Sequence, residues 1–213
     1  MRFAQLVEWA EGYNRRGVYS PIGVGFHWIM AAAVVFQLGF GWYLGYHMVG
    51  ADKHLGYQLH GEIGLTIMAV GALRFLWSRH VSGPGLVDED SLSGKLSGWL
   101  QLFFYFCFFA LPISGWVMWS TLPGDLPLSI AGLIPVPNLP FDQLSFKLQA
   151  ELMRDAANIH QILIWALMLA IPGHGGAAFL HYLVKRDKVL HAMLPDFNGP
   201  EVEGLVGAAP DNG

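Results

Sequence analysis

The fold is decided by residues 158–184, NIHQILIWALMLAIPGHGGAAFLHYLV, the last long apolar run of the chain. The run is long enough to cross a hydrocarbon core of about 30 Å as one helix. His160 and His174 are fourteen residues apart in it, which on a helix places them within roughly 40° of one direction and about 21 Å apart. Ionisable side chains are costly inside a bilayer, so histidines there indicate a function. The pattern predicts two stacked metal or haem sites, one towards each membrane surface.

The composition assigns the whole chain to the membrane. Of the 213 residues 54% are hydrophobic and 13% are charged, and the mean hydropathy is +0.41. Because Cys107 is the only cysteine, an internal disulfide and a c-type haem attachment motif are excluded. The chain has no basic stripe for nucleic acid, no phosphate-binding loop and no Ser/His/Asp or Cys/His constellation. These observations exclude nucleic-acid binding and nucleophilic catalysis.

Three more apolar runs precede residues 158–184, so we predict an all-α membrane protein, a four-transmembrane-helix bundle. The predicted spans cover about 22–46, 57–77, 95–120 and 158–184. The bundle domain extends over 20–195. The other segments are an N-terminal surface segment at 1–19, a loop at 121–155 with a short helix at about 141–153, and a disordered acidic tail at 196–213.

The distribution of Lys and Arg predicts the orientation. Of the 12 such residues, only Lys53, Lys147 and Arg154 fall on the side opposite the termini. Lys53 is expected in a short polar loop, residues 52–54, between the first two spans. The positive-inside rule therefore predicts cytoplasmic N- and C-termini, and in a bacterium it places the loop 121–155 in the periplasm.

Depth in this topology sorts four histidines into two pairs. His27 opens a span that starts inside, and His174 lies near the inner end of a span that starts outside. These two share the cytoplasmic half, while His60 and His160 both open spans from outside and share the periplasmic half. Two imidazoles in an apolar surround suit six-coordinate haem iron. Zinc would require further ligands or a water molecule.

Glycines and one arginine accompany these histidines on their helices. Gly41 and Gly45 share the face of His27, and Gly64 and Gly71 share the face of His60. Such glycines either let a flat cofactor lie against the backbone or let helices pack closely. Arg74, at the far end of the second span, either extends its charge to the interface or pairs with an anionic cofactor group.

Several motifs together resemble the bacterial four-helix cytochrome b561 family. They are Phe26-His27-Trp28, Leu59-His60-Gly61 with Gly64 and Leu73-Arg74, Leu111-Pro112-Ile113-Ser114-Gly115-Trp116, the series His160, His174 and His181, and the C-terminal segment 185–195. The similarity covers about residues 19–195. It implies two haem b groups, with His27 and His174 binding the cytoplasmic-side haem and His60 and His160 the periplasmic-side haem. His181 matches a histidine that is not an axial ligand, and with Arg74 it is expected to contact propionates.

The resemblance also implies a function in the bacterial inner membrane. Members of the family are thought to pass electrons between ubiquinone and a periplasmic or membrane redox partner, and superoxide is one proposed donor. A cationic funnel would favour superoxide, but only Lys53, Lys147 and Arg154, with His54, are available on that side. The sequence leaves open whether the protein forms a homodimer.

Two other classes of protein remain compatible with the sequence. The chain could be the cytochrome b anchor subunit of a multi-subunit dehydrogenase or hydrogenase. It could also be a haem-free transporter that uses its histidines as a relay.

Overall fold

The computed structural model describes residues 2–86, 90–122, 124 and 126–194. The expected disordered tail, 196–213, lies outside these residues. The helices are α1 (Phe3–Asn14), α2 (Pro21–His47), α3 (Gly50–His80), α4 (Leu92–Ser120), α5 (Phe146–Leu180) and α6 (Val189–Ala192). The antiparallel strands β1 (Leu128–Ile130) and β2 (Ile134–Val136) form a hairpin, a 3₁₀ turn covers Phe141–Gln143, and a π-helical turn covers His181–Lys185.

Four of the helices, α2 to α5, are long and apolar enough to cross a membrane. The predicted all-α, four-span membrane fold is therefore confirmed. We call the end that carries α1, α6 and the α3–α4 connection the terminal end of the bundle. The opposite end, with the α2–α3 connection and residues 121–145, is the loop end. Which end faces the cytoplasm remains a prediction.

Serine caps start three of the spanning helices. The hydroxyl oxygens of Ser20, Ser91 and Ser145 accept hydrogen bonds from backbone N–H groups three residues later, at 3.3, 3.1 and 3.4 Å. Each cap satisfies one of the N–H groups that a first helical turn leaves unpaired. In α2 the cap is followed by Pro21, whose fixed φ suits the first helical position.

Two helices extend well beyond the predicted spans, which corrects the loop expected at 52–54 and the separate helix expected at 141–153. Helix α3 begins at Gly50, so residues 52–54 lie in its first turns and not in a loop. Asp52 there suits the positive end of the helix dipole. Helix α5 begins at Phe146, about twelve residues before the predicted start at 158. Most of the separate helix expected at 141–153 belongs to α5, since the Ser145 cap starts a helix that no residue interrupts before the membrane.

The hairpin was not predicted. Residues 121–155 were expected to contain a loop and a short helix, yet β1 and β2 pair through a turn with Ala131 and Gly132 at φ 52° and 69°. The hairpin packs on α3 and α4, where Leu128 is fully buried with Leu65 and Trp119.

The spanning helices pack closely in chain order, α2 on α3, α3 on α4 and α4 on α5. Met30, Ile67 and Phe108 form one buried cluster, and Cys107, Leu163 and Leu167 form another. Cys107 is thus a small apolar side chain of the core. Helices α2 and α5 are not among the closely packed pairs, and we call the line between them the open seam of the bundle.

The terminal end is closed by contacts between distant parts of the chain. The Tyr19 backbone N–H donates to the carbonyl of Ala192 at 3.2 Å, and the Trp28 indole N–H donates to the carbonyl of Met193 at 2.7 Å. Glu11 in α1 accepts a hydrogen bond from the Ser82 N–H at 2.8 Å. The N-terminal surface segment and the chain after α5 are therefore both tied to the bundle.

Candidate metal centre: two histidine pairs

The first pair of histidines lies in the open seam between α2 and α5, near the terminal end. His27, in the second turn of α2, and His174, late in α5, have ring centroids 6.1 Å apart. Aromatic rings surround them: Phe104 stands edge-on to His174 at 5.5 Å, and Trp28 stands edge-on to His27 at 5.4 Å. We call His27 and His174 the terminal pair.

The second pair joins α3 to α5 near the loop end. The ring centroids of His60 and His160 are 6.4 Å apart, and the ring of Phe40 lies 6.1 Å from that of His60. We call His60 and His160 the loop pair. Because both pairs draw one histidine from α5, the fourteen-residue spacing in that helix sets the distance between them, about 21 Å along its axis.

The spacing within each pair suits one metal ion between the rings. Two imidazoles that bind a metal from opposite sides have centroids about 6 Å apart, because each metal–nitrogen bond is about 2 Å and each ring adds roughly 1 Å. Among the described residues, no three His, Cys, Asp or Glu side chains form a cluster that could hold a metal. A metal between either pair would thus take its other ligands from a non-protein group, as the iron of haem does. The residues fit haem at both positions.

A serine orients one of the four imidazoles. The Ser114 hydroxyl donates to the carbonyl of Leu111 at 2.8 Å, and its oxygen lies 2.8 Å from Nδ1 of His160. Since the single hydroxyl proton is given to Leu111, the oxygen accepts from the Nδ1–H of His160. This tautomer leaves Nε2 of His160 with the lone pair that a metal requires.

The comparison with protein families agrees with this geometry. The family described as prokaryotic cytochrome b561 matches residues 18–196. The chain belongs to this cytochrome b561 family. It is accordingly a multi-pass membrane cytochrome b that binds haem b and acts in electron transfer. A comparison with curated proteins finds no match.

Gln37 is a second polar side chain of this cytochrome b561 that the sequence did not single out. Its Nε2 donates to the carbonyl of His60 at 2.7 Å. Within the described part of the chain, its Oε1 and the Nδ1 of His60 are buried without a hydrogen-bond partner. Ser114 and Gln37 were missed because their roles depend on the packing of neighbouring helices. The signals in the sequence were a polar residue within an apolar span and, for Ser114, its place in the motif 111–116, which gave it no role.

The four predicted glycines of the cytochrome have different surroundings. A Cβ on Gly41 would lie 3.0 Å from Cε1 of His60, so Gly41 packs against the loop pair. A Cβ on Gly71 would lie 3.3 Å from Phe108 and one on Gly64 would lie 3.8 Å from Gln37, while Gly45 has nothing within 4 Å. The contacts of Gly71 fit helix packing. Contact of any of the four with haem remains a prediction.

Arg74 and His181 both lie towards the terminal end of cytochrome b561. The Arg74 guanidinium stands over the ring of Tyr105 at 5.8 Å and within electrostatic range of both histidines of the terminal pair. Outside the spans, burial raises the pKa of the Tyr19 phenol and the charge of Arg74 opposes this rise.

His181 is held by a carboxylate. Its Nδ1 lies 2.5 Å from Oδ2 of Asp187, and Oδ1 of Asp187 accepts from the Val189 N–H at 3.1 Å. The hydrogen bond from His181 lowers the pKa of Asp187. Propionate contacts by Arg74 and His181 remain predictions.

Proposed function

We propose that the chain holds two haem b groups, one in the terminal pair and one in the loop pair, and conducts electrons between ubiquinone and a redox partner at the loop end. The observation that supports this most directly is the equal spacing of the two pairs, 6.1 and 6.4 Å between ring centroids. Each spacing fits one metal ion, and the pairs lie towards opposite ends of one bundle.

The residues of the chain have three tasks in this function. The four imidazoles would hold the two haems, His27 and His174 one of them and His60 and His160 the other. Ser114 holds the tautomer of His160, and the rings of Phe40 and Phe104 pack beside His60 and His174. Haem b bound in this way supplies one-electron chemistry, since its iron changes between the ferric and ferrous states.

Charge at the loop end gives little attraction for an anion such as superoxide. Lys53 donates to the carbonyl of Gly45 at 3.2 Å and stands over the ring of Tyr57, and the exposed Arg154 pairs with Asp155 at 3.4 Å. An exposed pair of this kind contributes a weak net field. These charges therefore give superoxide little support as the donor, and the alternative is a redox protein at the same end.

Haem stoichiometry tests the two-site part of the proposal. Purified protein should contain two haem b per chain by pyridine haemochrome assay. His27→Ala and His60→Ala should each remove one haem, while the control variant His47→Ala should retain both, because His47 stacks on Tyr43 and belongs to neither pair. One haem in the unmodified protein would contradict the proposal, and a colourless protein would favour the haem-free transporter.

Rapid mixing tests the direction of electron flow. Oxidised protein in detergent is mixed with superoxide, the haem absorbance bands are followed, and ubiquinone is added afterwards. Fast reduction followed by reoxidation would establish superoxide-to-ubiquinone transfer. Bands that stay oxidised would exclude superoxide as the donor and point to an anchor subunit that receives electrons from a partner protein.

A further inference from the structure

The hairpin segment, which we define as residues 126–136, is unusually apolar for a connection outside a membrane. No charged residue occurs from 126 to 141. Three of its large side chains are also among the more exposed apolar ones in the described structure: Leu126 is 72% exposed, Leu133 is 82% exposed and Ile134 is 60% exposed. Leu133 and Ile134 form the tip of the segment, next to the turn.

The position of the turn along α3 gives its depth. The Ala131 N–H donates to the hydroxyl oxygen of Thr66 at 2.8 Å. Thr66 is sixteen residues from Gly50 and fourteen from His80, the two ends of α3. A helix of this length is about 46 Å long. Wherever a hydrocarbon core of about 30 Å lies along it, Thr66 is inside that core and at least roughly 6 Å from its nearer edge. The turn therefore lies at hydrocarbon depth.

One face of the hairpin segment is fixed on the bundle. Leu128 is fully buried, and a Cβ added to Gly61 of α3 would lie 3.0 Å from its Cδ1. Leu65 and Trp119 complete this buried contact. Because that face is fixed against α3 and α4, the exposed side chains of the tip point away from the bundle.

Some backbone N–H groups of the hairpin segment have partners or are absent, which lowers the cost of placing the segment in lipid. Leu133 donates to the carbonyl of Ile130 at 3.0 Å. Thr66 donates its own proton to the carbonyl of Glu62 at 2.8 Å and so is free to accept from Ala131. Pro135, which pairs with Ser129 between the two flanking strand pairs, has no N–H to direct outward.

We propose that the hairpin segment is re-entrant and that its tip, Leu133 and Ile134, contacts lipid acyl chains in the leaflet at the loop end. Acyl chains are the partner that fits, because the tip lies at hydrocarbon depth and its apolar side chains are exposed. A protein interface would combine apolar side chains with a polar or charged rim, whereas the segment carries no charge. The proposal is independent of the haem sites.

Spin-label accessibility tests the proposal. A nitroxide is attached to Leu133→Cys or Ile134→Cys in protein reconstituted into lipid nanodiscs, and its collisions with oxygen and with a water-soluble nickel chelate are compared. Leu169→Cys, 78% exposed on α5, is the lipid standard, and the exposed Lys147→Cys is the water standard. The unmodified chain is the control for background labelling at Cys107, which is 1% exposed.

Labels at the tip should match the Leu169 standard, with collisions with the nickel chelate reduced several-fold relative to Lys147. Two tip positions are used so that a fold defect in one variant does not decide the result, and retention of the haem spectrum checks each fold. Labels that match the Lys147 standard would overturn the proposal and make the tip a water-exposed surface for a protein partner.

Discussion

At the scale of single residues, the hydroxyl of Ser114 controls His160 although it binds no metal itself. It accepts the Nδ1–H of His160 at 2.8 Å and thereby sets both the tautomer and the ring orientation. Groups that orient a metal ligand in this way commonly contribute about 10- to 100-fold to metal affinity. The two pairs consequently differ, since the structure shows this arrangement for the loop pair.

Ser114→Ala should weaken haem binding at the loop pair by roughly 10-fold or more and shift the potential of that haem. The terminal pair is the internal control, because its histidines do not contact Ser114. Haem transfer to apomyoglobin and a redox titration measure the two effects. Equal loss from both pairs would mean that Ser114 acts on the fold as a whole.

Gly41 and Gly45 allow a matched test of close packing. A Cβ at Gly41 would lie 3.0 Å from the His60 ring, while the space at Gly45 is open. Gly41→Ala should displace His60 and lower the haem content towards one per chain. Gly45→Ala should keep two haems per chain. Its free energy of unfolding should rise by up to about 1 kcal/mol, because alanine has a higher helix propensity than glycine. Haem content and thermal unfolding separate the two variants, and full haem content in Gly41→Ala would contradict the prediction.

The structure brings together the histidines that helical periodicity and topology predicted to pair, while their role as haem ligands stays a prediction. His160 and His174 belong to one helix, so their spacing is a local property, and the topology then indicated matching depths for His27 and His60. The contacts of Ser114, Gln37 and Gly41 depend on how neighbouring helices rotate against each other, which no local pattern encodes.

At the scale of elements, the hairpin is tied to α3 through the Thr66 hydroxyl. Thr66→Val keeps the shape of the side chain but removes the acceptor of the Ala131 N–H, and the loss of such a hydrogen bond costs about 0.5–1.5 kcal/mol. We expect a lower unfolding temperature and faster hydrogen exchange at Ala131. Thr66→Ser retains the hydroxyl and is the control. Unchanged exchange in Thr66→Val would show that the hydrogen bond is dispensable.

The hydrogen bond between His181 and Asp187 gives the C-terminal segment a pH dependence. Because this bond lowers the pKa of Asp187, its contribution to stability is present above the unfolded pKa of about 4 and is lost as pH falls through the lower folded pKa. Asp187→Asn should increase the rate of hydrogen exchange in α6 at pH 6. Below about pH 4 the exchange rates of the variant and the unmodified protein should become more alike. A difference that is constant with pH would contradict this assignment.

Elements were predictable from sequence in proportion to their length. The four spans each hold a long apolar run, whereas the extension of α5 back to Phe146 rests on the Ser145 cap and contains ordinary polar residues. The hairpin strands are three residues long and pair through Ala131 and Gly132, a weak turn signal. The position of these strands depends on the packing of Leu128 against Gly61.

At the scale of the whole molecule, four spans put both termini on one side, and the distribution of Lys and Arg predicts that this side is cytoplasmic. In intact cells with a permeable outer membrane, an impermeant maleimide should label Lys147→Cys and should label Lys188→Cys only after lysis. Both positions are exposed. The reverse pattern would invert the orientation and put the loop pair on the cytoplasmic side.

Both histidine pairs take one member from α5, the last of the four spans to leave the ribosome. A nascent chain that stops before α5 carries only half of each site, however well its first three helices are inserted. At the proposed haem sites, cofactor loading would therefore follow the synthesis of α5, and the acquisition of colour would report that this helix has docked. A chain shortened before α5 would then stay colourless.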